Sequence, residues 1–239
     1  MKHLPVFLAI VILFSCKKHD PPPPPPPACL ISQVTHSGGF IPTTPTKFIY
    51  DEKGRLIRTE EGPDITTFTY THDSVIANMT KSTGQFTGRT VVINNRDGLA
   101  LNIYAIMDPQ GEIWSNTTFE YNGQQLARST FTNFITPAPL VTTFTWSGGN
   151  MVSATTVTAT GTSTDHYEYY TDQPRQQGDY QNFQQFSQGF EIFRSKNLVK
   201  SELGLKLTYE FRQDGRISSV NAIDTASNSF IYKYDYSCK

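Results

Sequence analysis

Beyond residue 45, apolar and polar positions alternate in short runs, and each run ends in Asp, Asn or Gly. Two of these runs, Phe48-Ile-Tyr50-Asp-Glu-Lys-Gly54-Arg55-Leu56 and Tyr209-Glu-Phe211-Arg-Gln-Asp-Gly215-Arg216-Ile217, align without a gap. Weaker copies are Phe119-Glu-Tyr121-Asn-Gly-Gln-Gln-Leu126, Phe144-Thr-Trp146-Ser-Gly-Gly-Asn-Met151, Phe68-Thr-Tyr70-Thr-His-Asp-Ser-Val75 and Val91-Val-Ile93-Asn-Asn-Arg-Asp-Gly98-Leu99. Tyr167-Glu-Tyr169 and Phe230-Ile-Tyr232-Lys-Tyr234-Asp-Tyr236 carry the aromatic half alone. Aromatics two apart lie on one face of a strand, and the residue between them lies on the other. The Asp/Asn/Gly segment has the chemistry of a tight turn that needs positive φ. An aliphatic residue then opens the return strand. Each unit is therefore a β-hairpin, with Gly54, Gly98, Gly123 and Gly215 as turn glycines. The predicted fold is all-β: an antiparallel meander of repeated hairpins, forming a curved or partly closed sheet across a single domain, 29–239.

One segment breaks this rhythm. Residues 174–193 are rich in Gln and place Phe183, Phe186, Phe190 and Phe193 three or four apart, which is helical spacing. Asp179 suits an N-cap and Gly189 a stop. The expectation is one short helix near 179–188 that lays its rings on the sheet.

Composition supports the β reading. Aromatics make up 13% of the chain and charged residues 17%. Net charge is −1, without the basic excess that nucleic-acid binding uses, so no nucleic-acid partner is expected.

The first residues have a different purpose. Lys2 and His3 precede the apolar run Leu4–Phe14, which is too short to span a bilayer and suits the core of a signal peptide, assigned to 1–15. The run closes in Leu13-Phe14-Ser15-Cys16, which resembles the lipobox of bacterial lipoproteins. That resemblance implies cleavage before Cys16, acylation of its thiol and membrane attachment through lipid. Lys17 replaces the Asp that can hold such proteins at the inner membrane, which favours the outer membrane. Residues 16–28 form the lipidated terminus and tether. Within it, Pro21–Pro27 would make a polyproline II spacer of about 22 Å.

Two cysteines remain, Cys29 and Cys238, at the two ends of the β domain. An even count in an exported chain predicts a disulfide between the first and last strands; the alternative is two half-buried thiols.

The hairpin unit resembles the YD or RHS-type repeat. Together with the lipobox and tether, it is similar to a group of Bacteroidota lipoproteins with Y-x-Y-D-x-x-G-R-hydrophobic hairpins. Ser195-Lys-Asn-Leu-Val-Lys-Ser201 also resembles a segment these carry before their last hairpins. The resemblance implies a scaffold and brings no activity with it.

Catalytic and metal signatures are not visible. His72 beside Asp73 and His166 beside Asp165 would point to opposite faces of a strand, so neither pair is a ready-made unit. No catalytic residue, metal ligand or cofactor is assigned. The chain reads as an envelope lipoprotein that binds or scaffolds, with a glycan or a protein as candidate ligand. An envelope glycan or peptidoglycan hydrolase is the alternative, and would need two carboxylates in one cleft. A third reading, an integral barrel, turns on whether the aromatics or the alternating Glu120, Glu168, Glu210 and Lys233 face outward.

Overall fold

A computed structural model describes residues 29–38, 44–135 and 138–238. The expected signal peptide, Cys16 and the proline run lie outside the described residues. The N-terminal half supplies β1 (Cys29–Ser37), β2 (Thr46–Tyr50), β3 (Leu56–Glu61), β4 (Asp64–Tyr70), β5 (Ser74–Lys81), β6 (Phe86–Asn94), β7 (Ala100–Ile106), β8 (Ile113–Asn122) and β9 (Gln125–Asn133). The C-terminal half adds β10 (Leu140–Ser147), β11 (Asn150–Thr158), β12 (Gly161–His166), β13 (Glu168–Pro174), helix α1 (Tyr180–Phe186), β14 (Asn197–Glu202), β15 (Leu205–Phe211), β16 (Ile217–Ile223) and β17 (Ser229–Cys238).

Every pairing between these strands is antiparallel; one isolated parallel bridge joins Leu99 to Glu191. Consecutive strands pair from β1 to β12 and again from β13 to β17, and β1 also pairs with β17, from Cys29↔Cys238 to Ser37↔Ile231. β12 and β13 run on from each other with only Tyr167 between them. The first half of this long strand pairs with β11 and the second half with β14. The 17 strands thus form a nearly closed barrel. The disulfide Cys29–Cys238 links first and last strands across 209 residues. In the chain-entropy treatment, a loop that long is worth about 5 kcal/mol.

The hairpins share one turn geometry. Asp51 N–H donates to the Arg55 carbonyl and Gly54 N–H to the Asp51 carbonyl; the same pair of bonds recurs at 95–99 and 212–216. Gly54, Gly98, Gly123 and Gly215 have φ of +76°, +76°, +61° and +83°. One sequence alignment is corrected. In the copy at 91–99, Asn95 occupies the place of Asp51, so Val92 and Asn94, not Val91 and Ile93, stand where the aromatics stand elsewhere. The extra residue before Gly98 shifted the reading by one.

Alternation decides the faces. Phe48, Phe68, Val75, Val92, Phe119, Leu126, Leu207, Val220 and Tyr234 are buried inside. Their neighbours face out: Arg58 with Glu60, Glu120 with Arg128, and Glu168 with Lys200 form ion pairs on the outer surface. Lys206, Glu210, Lys233 and Asp235 share this outer face by register. So do Thr143, Thr145, Thr155 and Thr164.

A ring of this many strands is too wide for its own side chains to fill. Residues 175–196 fill it from the end that carries the Asp/Asn-Gly turns. Asp179 caps α1, accepting from Gln181 N–H, and Gly189 ends the turn that follows, its N–H donating to the Phe186 carbonyl. This plug packs Phe183 edge-on against Phe48 and Tyr234, and Tyr180 against Tyr232, with centroids 5.5 to 6.3 Å apart. The expected short helix is present, but its rings fill a barrel rather than cover a sheet.

The third residue of most units has a further job. Tyr50, Tyr70, Tyr121, Tyr169 and Tyr236 each donate a hydroxyl, and Trp146 its indole N–H, to a carbonyl on the strand behind: those of Ile31, Leu56, Ala100, Met151, Ile217 and Leu126, at 2.7 to 2.8 Å. All but Ile31 are the first or second residue of a return strand. Each hairpin is thus bolted to its predecessor around one rim. Tyr121 also donates to the Ile192 carbonyl, joining rim to plug.

The two glycine settings predict different costs. A β-carbon on Gly215 would meet nothing, whereas one on Gly189, at φ +81°, would lie 2.5 Å from the Phe68 ring. Gly215→Ala should therefore cost about 1 kcal/mol from backbone strain alone. Gly189→Ala should cost several times more, since clash adds to strain. Chemical denaturation of both variants measures this, and equal midpoints would contradict the plug's packing.

Candidate functional site

Between β14 and β15 the ladder breaks. Their pairing comprises Ser201↔Lys206 and Glu202↔Leu205. Beyond that point β14 and β15 splay, and side chains replace the missing rungs. Tyr209 donates its hydroxyl to the Val199 carbonyl at 2.8 Å, and Tyr170 donates to the Leu207 carbonyl at 2.9 Å. The Val199 N–H lies close enough to the Asp179 carboxylate to lower its pKa. The same carboxylate accepts from Gln181 N–H and the Tyr209 hydroxyl. Asp179 is therefore more than a helix cap: it ties the plug to the broken seam. The residue has no exposed surface.

A second carboxyl lies close by. Glu202 ends β14 on the inward face and is 7% exposed. It is hydrogen-bonded to the Gln181 side chain and feels the charge of Asp179. Burial raises both acids, Asp179 to about 6 and Glu202 to about 7, because a low-dielectric interior disfavours the charged form. Glu202 lines a cavity of about 330 Å³ with Tyr167, Tyr180, Gln184 and Phe193, and with Leu203, 60% exposed, at its mouth. Gln185 braces the wall: its Oε1 accepts from the N–H groups of Ile192 and Phe193.

A second cavity, of about 320 Å³, lies at the rim where Asn94 interrupts the aromatic series. Leu56, Tyr70, Val75, Phe186 and Phe190 line it. Asn94 Oδ1 is buried without a hydrogen-bond partner. Here the plug is latched by Glu191, whose carbonyl accepts from Ala100 N–H and whose carboxylate pairs with Arg175 and Arg194. Burial opposes that charge, but the two guanidiniums outweigh it and lower the Glu191 pKa.

The other candidates are dispersed. His36 stands 6.2 Å from the Tyr232 ring, His72 lies in a turn, and His166 is on the outer face. Among the described residues, no three His, Cys, Asp or Glu side chains are grouped to hold a metal. Sequence reading missed Glu202. Its signal was parity: Glu202 falls on the same inward register as the Leu205 it pairs with, a place for an apolar residue.

No protein-family model matches this chain, and no curated protein matches it. Among solved structures, it is similar to a porin-like protein from Bacteroides uniformis ATCC 8492, with a TM-score of 0.58 and 14% identity over 87% of this chain and 98% of that one. The likeness is one of fold. It agrees with the nearly closed all-β architecture.

Two expectations follow. Acids whose folded pKa exceeds the unfolded one make stability fall as pH rises, here from about 4 to about 7. Melting temperature should be higher at pH 5 than at pH 8, and Glu202→Gln should flatten that slope; a wild-type protein more stable at pH 8 would contradict the burial of both acids. Separately, Asn94→Tyr should fill the rim cavity and restore the missing donor. Its melt should rise by a few degrees, as about 1 kcal/mol would give in a domain of this size. A lowered melt would show that the void cannot take a ring.

Proposed function

We propose that this chain is a lipid-anchored, water-facing barrel of the outer membrane that works by binding and does not conduct. The observation that carries this is sidedness. A barrel set in a bilayer turns an apolar band outward and keeps polar groups inside. Here the aromatics point inward and Arg58, Glu60, Glu120, Arg128, Glu168, Lys200, Lys206, Glu210 and Lys233 point outward. An Arg or Lys facing lipid at mid-bilayer costs about 2 to 4 kcal/mol and a Glu less, so this set together would be prohibitive. The inward plug leaves an interior of packed rings rather than a water path. The porin-like neighbour supports an envelope setting.

Attachment then falls to the N-terminus, where Cys16 and the proline run supply a lipid and a spacer. Two or more acyl chains hold a protein at a membrane durably. Binding is favoured over hydrolysis because the two cavities described, and three further ones at 170–211, 175–195 and 168–208, are each lined by one carboxylate: Glu191 in two of them, and Asp172, Glu202 and Glu168 in the others. Asp179, the one acid beside Glu202, is held through Oδ1 by Gln181 N–H and the Tyr209 hydroxyl, so it is a structural acid of the seam.

Cys16→Ala decides between anchored and integral. Expressed in a bacterial host, the wild type should incorporate a fatty-acid analogue and sediment with membranes. The variant should lose the label and appear in the soluble fraction without detergent. A variant that still needs detergent for extraction would mean the barrel itself is embedded.

A further inference from the structure

Glu202 is a buried acid with no base of its own. From the plug it is faced by Asp179, Tyr180 and Gln181, from the long β12–β13 strand by Tyr167 and Tyr169, and from β15 by Tyr209. None of these is cationic. Arg175 acts on Asp179 but is not among the groups acting on Glu202. A buried carboxyl of this kind is normally answered by a paired charge or by protonation.

The cavity it lines has the chemistry of a specific partner. Tyr167, Tyr180 and Phe193 present three aromatic rings around it, and Gln184 adds an amide. Ring faces attract cations, and alkylammonium groups in particular, with the effect strengthening as water is removed. A carboxylate at the base of such a cage supplies the counter-charge. The second acid, Asp179, lies behind Glu202 and makes the local field more negative still. Two acids, three rings and no base make a poor seat for an anion. They also suit a neutral sugar less well than a cation, since a sugar leaves the carboxylate unneutralised.

We infer that this cavity binds a small alkylammonium ion, held by the Glu202 carboxylate and the rings of Tyr167, Tyr180 and Phe193. The inference rests on the reading of the chain as a water-facing binding barrel, and it names the ligand class for that barrel. Entry is beside Leu203, at the β14–β15 turn. Because the acid must be ionised to pair with the cation, binding releases a proton at pH below about 7.

The probe is choline, compared with its uncharged carbon isostere 3,3-dimethyl-1-butanol, titrated into full-length protein by calorimetry at pH 6 and pH 8. Choline should bind, several-fold more tightly at pH 8 than at pH 6, and the isostere at least tenfold more weakly. Glu202→Gln should weaken choline at least tenfold and abolish the pH dependence. Tyr167→Leu, which leaves the carboxyl in place, should weaken choline without altering that pH dependence, so the test does not hang on one variant's folding. Equal binding of choline and isostere, an unchanged Kd in Glu202→Gln, or no heat from choline in a protein extracted without detergent would each overturn the inference while leaving the anchored barrel standing. A Cys16→Ala protein that required detergent would instead overturn the reading beneath it.

Discussion

The bond from a tyrosine hydroxyl to the carbonyl behind it is the constraint on which this molecule turns. A meander of short hairpins has weak preferences about how tightly successive units splay. At one rim, that freedom is removed six times by the same device, from Tyr50 on Ile31 to Tyr236 on Ile217. One such bond contributes about 1 kcal/mol net, but the donors also anchor large rings that point inward, so each fixes the direction of a side chain and the pitch of a wall together. Tyr121 shows the coupling most directly, reaching both the Ala100 carbonyl of the wall and the Ile192 carbonyl of the plug. Where the device lapses, at Asn94, a cavity opens. Where it moves two residues back along the strand, from the place of Phe211 to Tyr209, the ladder itself has broken.

Much of this was legible in the residues. Alternating aromatics followed by an Asp/Asn-Gly segment are enough to place hairpins, because strand parity and turn chemistry are local. Phe183, Phe186 and Asp179 announced a capped helix for the same reason. Closure was legible only in outline, as a curved or partly closed sheet; the route by which the sheet closes was not. It depends on Tyr167 sitting at the join of a long strand that serves two neighbours in succession, and no local pattern reports which strand a given edge will meet. The register of the unit at 91–99 was misread by one because Val91, Val92 and Ile93 are all apolar; only the turn bonds at Asn95 and Gly98 separate them.

The acids beside the plug were harder still. Asp179 looked like an ordinary cap, and Glu202 like one more polar residue before a Leu-Gly turn. Their significance comes from tertiary placement. β14 and β15 diverge, the plug enters the gap, and two carboxyls that are far apart in function on paper share one dry interior. Burying charge without a partner is costly, so such sites are seldom visible as motifs: the sequence pattern that creates them is a hydrophobic surround contributed by distant segments.

The disulfide at Cys29 and Cys238 acquires another meaning from its position. It lies at the rim that also holds the plug, on the first residue of the first described strand. Any tension arriving along the chain from residues before 29 meets this bridge before it meets a single ladder hydrogen bond. The load is divided at once between β1 and β17, and the barrel cannot be peeled open from its N-terminal edge. Without the bridge, the same pull would unzip β1 from β17 one rung at a time. The covalent link thus acts as a mechanical stop at the edge where such a pull would otherwise begin to open the sheet.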